Sequence, residues 1–193
     1  MTAHPDAEDD LDFTQAPAKP APPPAPEKVA SARKEAAKGS PQLAKTGFYV
    51  AMARHAGGRI IPRNGARHSI LIVEDDKDLA NLVGEVLSKA GFLTRFARNR
   101  AEINGEFNKP PLPDLVLLDV ALPDADGFQI LERIRSNQKI LKIPVIMMTG
   151  KSEVTDVARG LSLGADGYVT KPFKISGLVA AVNTVLGIGE PST

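Results

Sequence analysis

Three short apolar runs and one short mixed segment each lead into a residue that can take part in polar chemistry. Ile70 to Val73 leads into Glu74-Asp75, Leu115 to Leu118 into Asp119, Pro144 to Met148 into Thr149, and Asp166 to Thr170 into Lys171. Continuous apolar runs of this length read as parallel strands covered on both faces. In a parallel sheet the C-terminal strand ends share one edge, where open α/β sheets place their ligands. Residues as far apart in sequence as Glu74 and Lys171 therefore converge. Clustered acids raise one another's pKa unless a cation screens them. Mg²⁺ answers that need with one or two carboxylates, waters and a substrate phosphate. Lys171 offers a point charge for a phosphoryl group and Thr149 a hydroxyl. Asp119 is the natural nucleophile, because a carboxylate can form an acyl phosphate. Taken singly, each residue has a plainer reading. Asp119 or Thr149 would serve as a turn or helix cap, Glu74 as a solvated loop acid, Lys171 as a surface charge.

The elements that must position these groups follow from periodicity. From Ser69 onward, short apolar runs alternate with helical patterns, the signature of a parallel α/β sheet. The strands are expected at Ile70–Val73, Leu93–Ala97, Leu115–Leu118, Pro144–Met148 and Asp166–Thr170. Leu79, Leu82, Val83, Val86 and Leu87 share one helical face before Gly91. Further helices are expected over about Asn99–Phe107, Gly127–Ser136, residues 153–162 and the stretch holding Leu178, Val179, Val182, Val185 and Leu186. Asp76, Asp124 and Asp126 read as loop or capping acids. Residues 189–193 read as a short tail, with no further domain expected after the last helix.

Charge divides the chain. Its formal net charge is +1, yet residues 1–27 hold six acids against Lys19, and residues 28–68 hold nine Lys/Arg against Glu35. Residues 1–27, acidic and then Pro/Ala-rich, are expected to be disordered, with polyproline character from Ala16 to Pro26. Residues 28–68 form a basic arm, expected to be partly helical or disordered, with short helices over Val29–Lys38 and Gln42–His55. Arg59, Arg63 and Arg67 recur every fourth residue. They read either as part of a solubilising leader or as an anion-docking arm for nucleic acid, an acidic protein or a phosphorylated small molecule. Absence of Cys excludes disulfides and thiolate chemistry. No apolar run approaches the roughly 18 residues of a membrane span, and the acidic N-terminus does not read as an export signal. The expected location is cytoplasmic.

Five segments resemble the receiver domain of bacterial two-component response regulators. They are Ile70-Leu71-Ile72-Val73-Glu74-Asp75-Asp76, Leu115-Val116-Leu117-Leu118-Asp119, Leu122-Pro123 with Asp126-Gly127, Val145-Ile146-Met147-Met148-Thr149-Gly150, and Tyr168-Val169-Thr170-Lys171-Pro172-Phe173. The resemblance covers residues 69–188. It implies a five-stranded, parallel, doubly wound sheet of flavodoxin-like, chemotaxis-regulator-like order 2-1-3-4-5. It further implies that Asp119 is the phosphoacceptor, with a histidine kinase or histidine phosphotransfer protein as donor. Glu74, Asp75, Asp119 and the Ala121 backbone carbonyl would hold Mg²⁺, Thr149 and Tyr168 would form a switch pair, and Lys171 would contact the phosphoryl group through a cis Lys171–Pro172 segment. Function is then expected to be phosphorelay signalling by a single receiver through a phosphorylation-dependent surface change, not enzymatic turnover of an external substrate. Ala121, two past the acceptor, lacks the second acid of aspartyl-phosphate hydrolases. The alternative is a binding effector whose arm docks nucleic acid or a cyclic dinucleotide under receiver control. Arg59-x-x-x-Arg63 resembles an arginine pair found in some cyclic-dinucleotide binders, though the motif that usually accompanies it is missing.

Overall fold

A computed structural model describes residues 12–13, 24–51, 59–150 and 154–188. Its elements are α1 (Pro26–Thr46), β1 (Phe48–Val50), β2 (Ser69–Val73), α2 (Lys77–Lys89), β3 (Leu93–Ala97) and α3 (Arg100–Phe107). They continue with β4 (Leu115–Asp119), α4 (Gly127–Ser136), β5 (Val145–Thr149), α5 (Val154–Leu163), β6 (Gly167–Thr170) and α6 (Ile175–Leu186).

The uniformly apolar strands β2, β4 and β5 are buried along their whole length, because helices cover both faces of a parallel sheet. On one face Ile70, Ile72, Leu115 and Leu117 pack with Val83 and Leu87 of α2 and Leu178 and Val182 of α6. On the other, Leu71, Val73, Val116 and Leu118 pack with Ile103 of α3, Ile130 and Ile134 of α4, and Val157 of α5. Helix starts follow their caps. The Asp76 side chain accepts from the Asp78 and Leu79 amides, and that of Asp126 from the Phe128 amide, as the capping reading of these acids anticipated.

The sheet has six strands, in the order β1-β6-β5-β4-β2-β3. The five parallel strands keep the expected order, and the correction lies at the edge, where β1 adds antiparallel to β6. The basic arm, expected to be partly helical or disordered, holds a helix and this strand. Pro26–Thr46 is one helix with Pro41 inside it, where two short helices had been expected. Gly47, at φ +80°, ends it, a left-handed position that favours glycine. Phe48-Tyr49-Val50 then forms a strand where the second helix was expected to continue. Aromatic and β-branched residues suit a pleated surface, and the free edge of β6 supplies their partner. Residues 52–58, the rest of that expected helix, lie outside the described residues, as do 14–23, most of the expected polyproline stretch, and the tail at 189–193.

Within residues 1–27, Phe13 lies among the described residues. It is buried, stacks on Phe107 at 5.1 Å between centroids, and lies 5.8 Å from the Arg133 guanidinium. Its amide donates to Asn104 Oδ1 at 3.2 Å. Residues 59–68 also lie against the domain. The Ile60 amide donates to the Leu186 carbonyl, and the Arg63 amide and Nε donate to Asp114 Oδ1 and the Pro113 carbonyl. Among the described residues, no helix is long and apolar enough to cross a membrane.

Leu117 has no exposure and Leu82 is 46 % exposed. Urea unfolding of Leu117→Ala should therefore show a loss of about 3 kcal/mol from the cavity left behind. Leu82→Ala should stay within about 0.5 kcal/mol of the parent.

Candidate functional site

The three central strands set the site. β4 lies between β2 and β5, so Asp119 projects from the middle of the C-terminal edge with Glu74 and Thr149 on the flanking strand ends. Glu74, Asp75 and Asp119 offer carboxylate oxygens that all lie within 4.8 Å of one another. Glu74 is 1 % exposed and Asp119 5 %, while Asp75 faces solvent. Lys171 reaches in from beyond β6. Its ammonium donates to Glu74 Oε2 at 2.6 Å and sits 2.9 Å from Asp119 Oδ2. Its own amide donates to the Thr149 carbonyl at 2.7 Å, which ties the lysine to the threonine's strand. The Lys171–Pro172 bond is cis.

The loop after β4 is drawn close by glycine. The Gly127 amide donates to the Val120 carbonyl, and a Cβ on Gly127 would collide with the Asp119 carbonyl and stand 2.9 Å from Val120 Cα. Helix α4 can begin this near β4 only without a side chain there. The turn it closes aims the Ala121 amide at Asp119 Oδ1, 3.3 Å away. Asp119, Ala121, Thr149, Gly150 and Arg159 line an open cleft of about 500 Å³.

Electrostatics follow from burial. Burial, with the charge of Asp119, raises the Glu74 carboxyl above its ordinary range, and hydrogen bonding to Lys171 opposes the rise. For Lys171 burial alone would lower the pKa. The hydrogen bonds to Glu74 and Asp119 and their charges outweigh it, so the net shift is upward. One cation thus serves two acids, with Asp75 beside them. A set of three carboxylates, two buried and one open to solvent, suits a hard divalent ion with oxygen ligands and retained waters.

Tyr168 is fully buried. Its hydroxyl donates to the Asp156 carbonyl of α5 at 3.3 Å and lies over Gly160, where a Cβ would strike it. Burial, then the charge of Asp156, pushes the phenol pKa up, so it stays a neutral donor. Thr149, 3 % exposed, lines the cleft. Arg63 of the expected anion-docking arm pairs with Asp114, next to the N-terminal end of β4 and so at the opposite sheet edge from Asp119. Arg67 lies in a separate hollow with His68 and Phe92, and Arg59 is exposed. The three arginines therefore take no part in the acid cluster. Sequence reasoning missed Arg159, which pairs with Asp126 at 3.2 Å and lies 4.2 Å over the Phe128 ring at the cleft mouth. An exposed arginine in an amphipathic helix carries no signal of that placement.

Removing the shared cation tests this arrangement. Lys171→Met should cost about 3 kcal/mol near neutral pH, because it leaves two buried acids facing each other. Glu74 binds its proton more tightly folded than unfolded, so its contribution to stability is present at low pH and lost as pH rises through its folded value. Lowering pH from about 7 to about 5 should therefore restore part of the variant's loss, read by urea unfolding at both values.

The sequence matches the family described as response regulator receiver domain over residues 70–183, more than half of the chain. The transcriptional regulatory protein GltR of Pseudomonas aeruginosa is 40 % identical over 118 residues, covering 61 % of this chain and 48 % of its own. The regulatory protein VanRc of Enterococcus gallinarum is 44 % identical over 117 residues, covering 61 % and 49 %. The chain thus spans about half the length of these curated relatives. Among solved structures, the non-phosphorylated HemR receiver domain of Leptospira biflexa is 29 % identical with a TM-score of 0.58, covering 66 % of this chain and all of its own. With the sheet order and the acid cluster already in place, this chain belongs to the response regulator receiver domain family.

Proposed function

We propose that Asp119 accepts a phosphoryl group from a histidine kinase or a histidine phosphotransfer protein. The observation that carries this reading is the convergence of Glu74, Asp75 and Asp119 within 4.8 Å, with Lys171 bridging Glu74 and Asp119. A carboxylate oxygen of Asp119 attacks phosphorus in line. The donor's P–N bond breaks, its electron pair stays on the imidazole nitrogen, and that nitrogen takes up a proton. The transfer needs chiefly positioning and charge neutralisation. Lys171 supplies one positive charge to the phosphoryl oxygens, and the Thr149 hydroxyl supplies a donor. Glu74, Asp75, Asp119 and the Ala121 carbonyl would hold Mg²⁺, which when bound adds positive charge where the phosphoryl oxygens gather. Ala121 places no polar side chain in the cleft to hold or to block an attacking water.

The output is a change of surface. Thr149 and Tyr168 lie on neighbouring strands, and Tyr168 reaches α5 through the Asp156 carbonyl. A shift of Thr149 toward the phosphoryl group is therefore felt where the tyrosine packs. Docking of nucleic acid or a cyclic dinucleotide by the basic arm is the weaker reading, because Arg63 is engaged with Asp114 and Pro113.

Incubation with acetyl phosphate and Mg²⁺ should add one phosphoryl group to the chain, seen as an intact-mass increase. The gain should vanish in Asp119→Asn and on chelation of the metal, and Thr149→Val should slow it on the order of a hundredfold. Undiminished labelling of Asp119→Asn would place the acceptor elsewhere.

A further inference from the structure

Tyr168 and the strand that carries it do not face solvent, because the chain's own N-terminal elements lie over them. Helix α1 packs along α5, turning Ala32 and Ala36 inward. Strand β1 pairs with β6 in the register Phe48↔Val169, Tyr49↔Tyr168 and Val50↔Gly167. Directly opposed residues of an antiparallel pair point to the same face, so the two tyrosines lie side by side in one core. The Tyr49 hydroxyl donates to Glu35 of α1 at 3.1 Å, joining helix to strand.

The surface beneath is shaped for this occupant. A Cβ on Gly167 would stand 2.9 Å from the Tyr49 carbonyl oxygen. On Gly177, inside α6, it would stand 3.1 Å from the Thr46 oxygen and 3.3 Å from Phe48 Cδ1. Glycine within a helix is unfavourable relative to alanine, and here it lets the α1–β1 corner approach. The other half of the fit is Gly39, where a Cβ would meet the Tyr49 ring at 2.5 Å. Helix α6 carries no charged residue from Ile175 to Leu186, which suits a covered face better than a bare one.

A short covalent path links this occupant to the acid cluster. Thr170 donates its amide to the Gly47 carbonyl at 2.9 Å, and the next residue is Lys171, whose ammonium bridges Glu74 and Asp119. One peptide unit thus separates the site's cation from the corner joining α1 to β1.

We propose that α1–β1 is a built-in occupant of the α5–β6–α6 surface and that phosphorylation of Asp119 releases it. This rests on the phosphoacceptor reading above. A dianionic phosphoryl group draws the Lys171 ammonium toward itself and carries the Thr170 backbone along, which weakens the Gly47 bond. Strand β1 is three residues long and lies at a sheet edge, so its pairing belongs to the least stable part of the fold. A small shift at one end suffices to separate it, since packed edges are bistable rather than elastic. The partner this surface fits has the same chemistry as its occupant, a helix with small residues on one face followed by an antiparallel strand. Such a partner binds only after α1–β1 has left.

Hydrogen exchange on the full chain tests the release, with intact mass recorded on the same samples to count phosphoryl groups. With acetyl phosphate and Mg²⁺, amides of β1 and of the Ala32–Gly39 stretch should exchange roughly tenfold faster, while β2, β4 and β5 stay protected. Gly39→Leu should open the same amides without phosphodonor, keep the central strands protected, and show no further rise when phosphorylated. Labelled Asp119 with unchanged or slower exchange in α1–β1 overturns the release and leaves the acceptor role standing. A Gly39→Leu chain that exchanges like wild type and still opens on labelling overturns the role assigned to the α1–Tyr49 contact. Failure to label Asp119 at all overturns both readings.

Discussion

The bridge from Lys171 to Glu74 and Asp119 is the interaction on which the rest of the molecule is arranged. Two carboxylates with almost no exposure cannot sit this close without a compensating cation. The lysine that supplies it arrives from the far side of the sheet, across β5 and β6. Its position requires β6 to run parallel to β5, and the hydrogen bond from its amide to the Thr149 carbonyl fixes the height at which it enters. The helices on either face hold the three central strands in register so that their polar ends meet. The site is thus a property of the whole sheet, and no single segment contains it.

Burial sharpens the chemistry. Glu74 is kept from full comfort as an anion by its surroundings and by Asp119, while Lys171 holds its proton firmly because two acids share it. Lys171 is shared between Glu74 and Asp119, and the Asp75 carboxylate stands beside them. Asp114 and Asp166 are equally buried acids with a different purpose. Asp166 accepts from the Val145 amide and from Arg135, and Asp114 accepts from the Ser69 and Arg63 amides. Both lie at strand entries, where they satisfy backbone donors. Which sheet edge an acid occupies separates the two roles.

Much of this was legible in the sequence for a physical reason. Strands covered on both faces must be apolar throughout, so Leu115–Leu118 and its neighbours stand out, and the polar residue ending each run marks the common edge. The caps at Asp76 and Asp126 were legible because a carboxylate before a helix has a local use. The N-terminal additions were legible only as the helix over Val29–Lys38, which lies inside α1. Phe48–Val50 is too short to show alternation and becomes a strand only because β6 offers an edge. Pro41 reads as a break, yet the helix passes through it while packed on α5. Phe13 stands among polar residues, and its pocket is built by α3 and α4 far along the chain. The spacing of Arg59, Arg63 and Arg67 suggested a common task, but Arg63 is turned toward Asp114, a partner 51 residues away.

That last contact bears on where the domain begins. Asp114 has no exposure, and Arg63 supplies its cation and one of its amide donors. A few residues earlier, Ile60 covers the last turn of α6 by its bond to the Leu186 carbonyl and itself receives His68 on its own carbonyl. Family resemblance starts at the first parallel strand, but hydrogen bonds to the domain reach back to Ile60 and Arg63. A fragment cut at Ser69 would keep every residue of the acid cluster and lose the counter-charge of a buried acid at the opposite edge. Its weakness would then be mistaken for a property of the site.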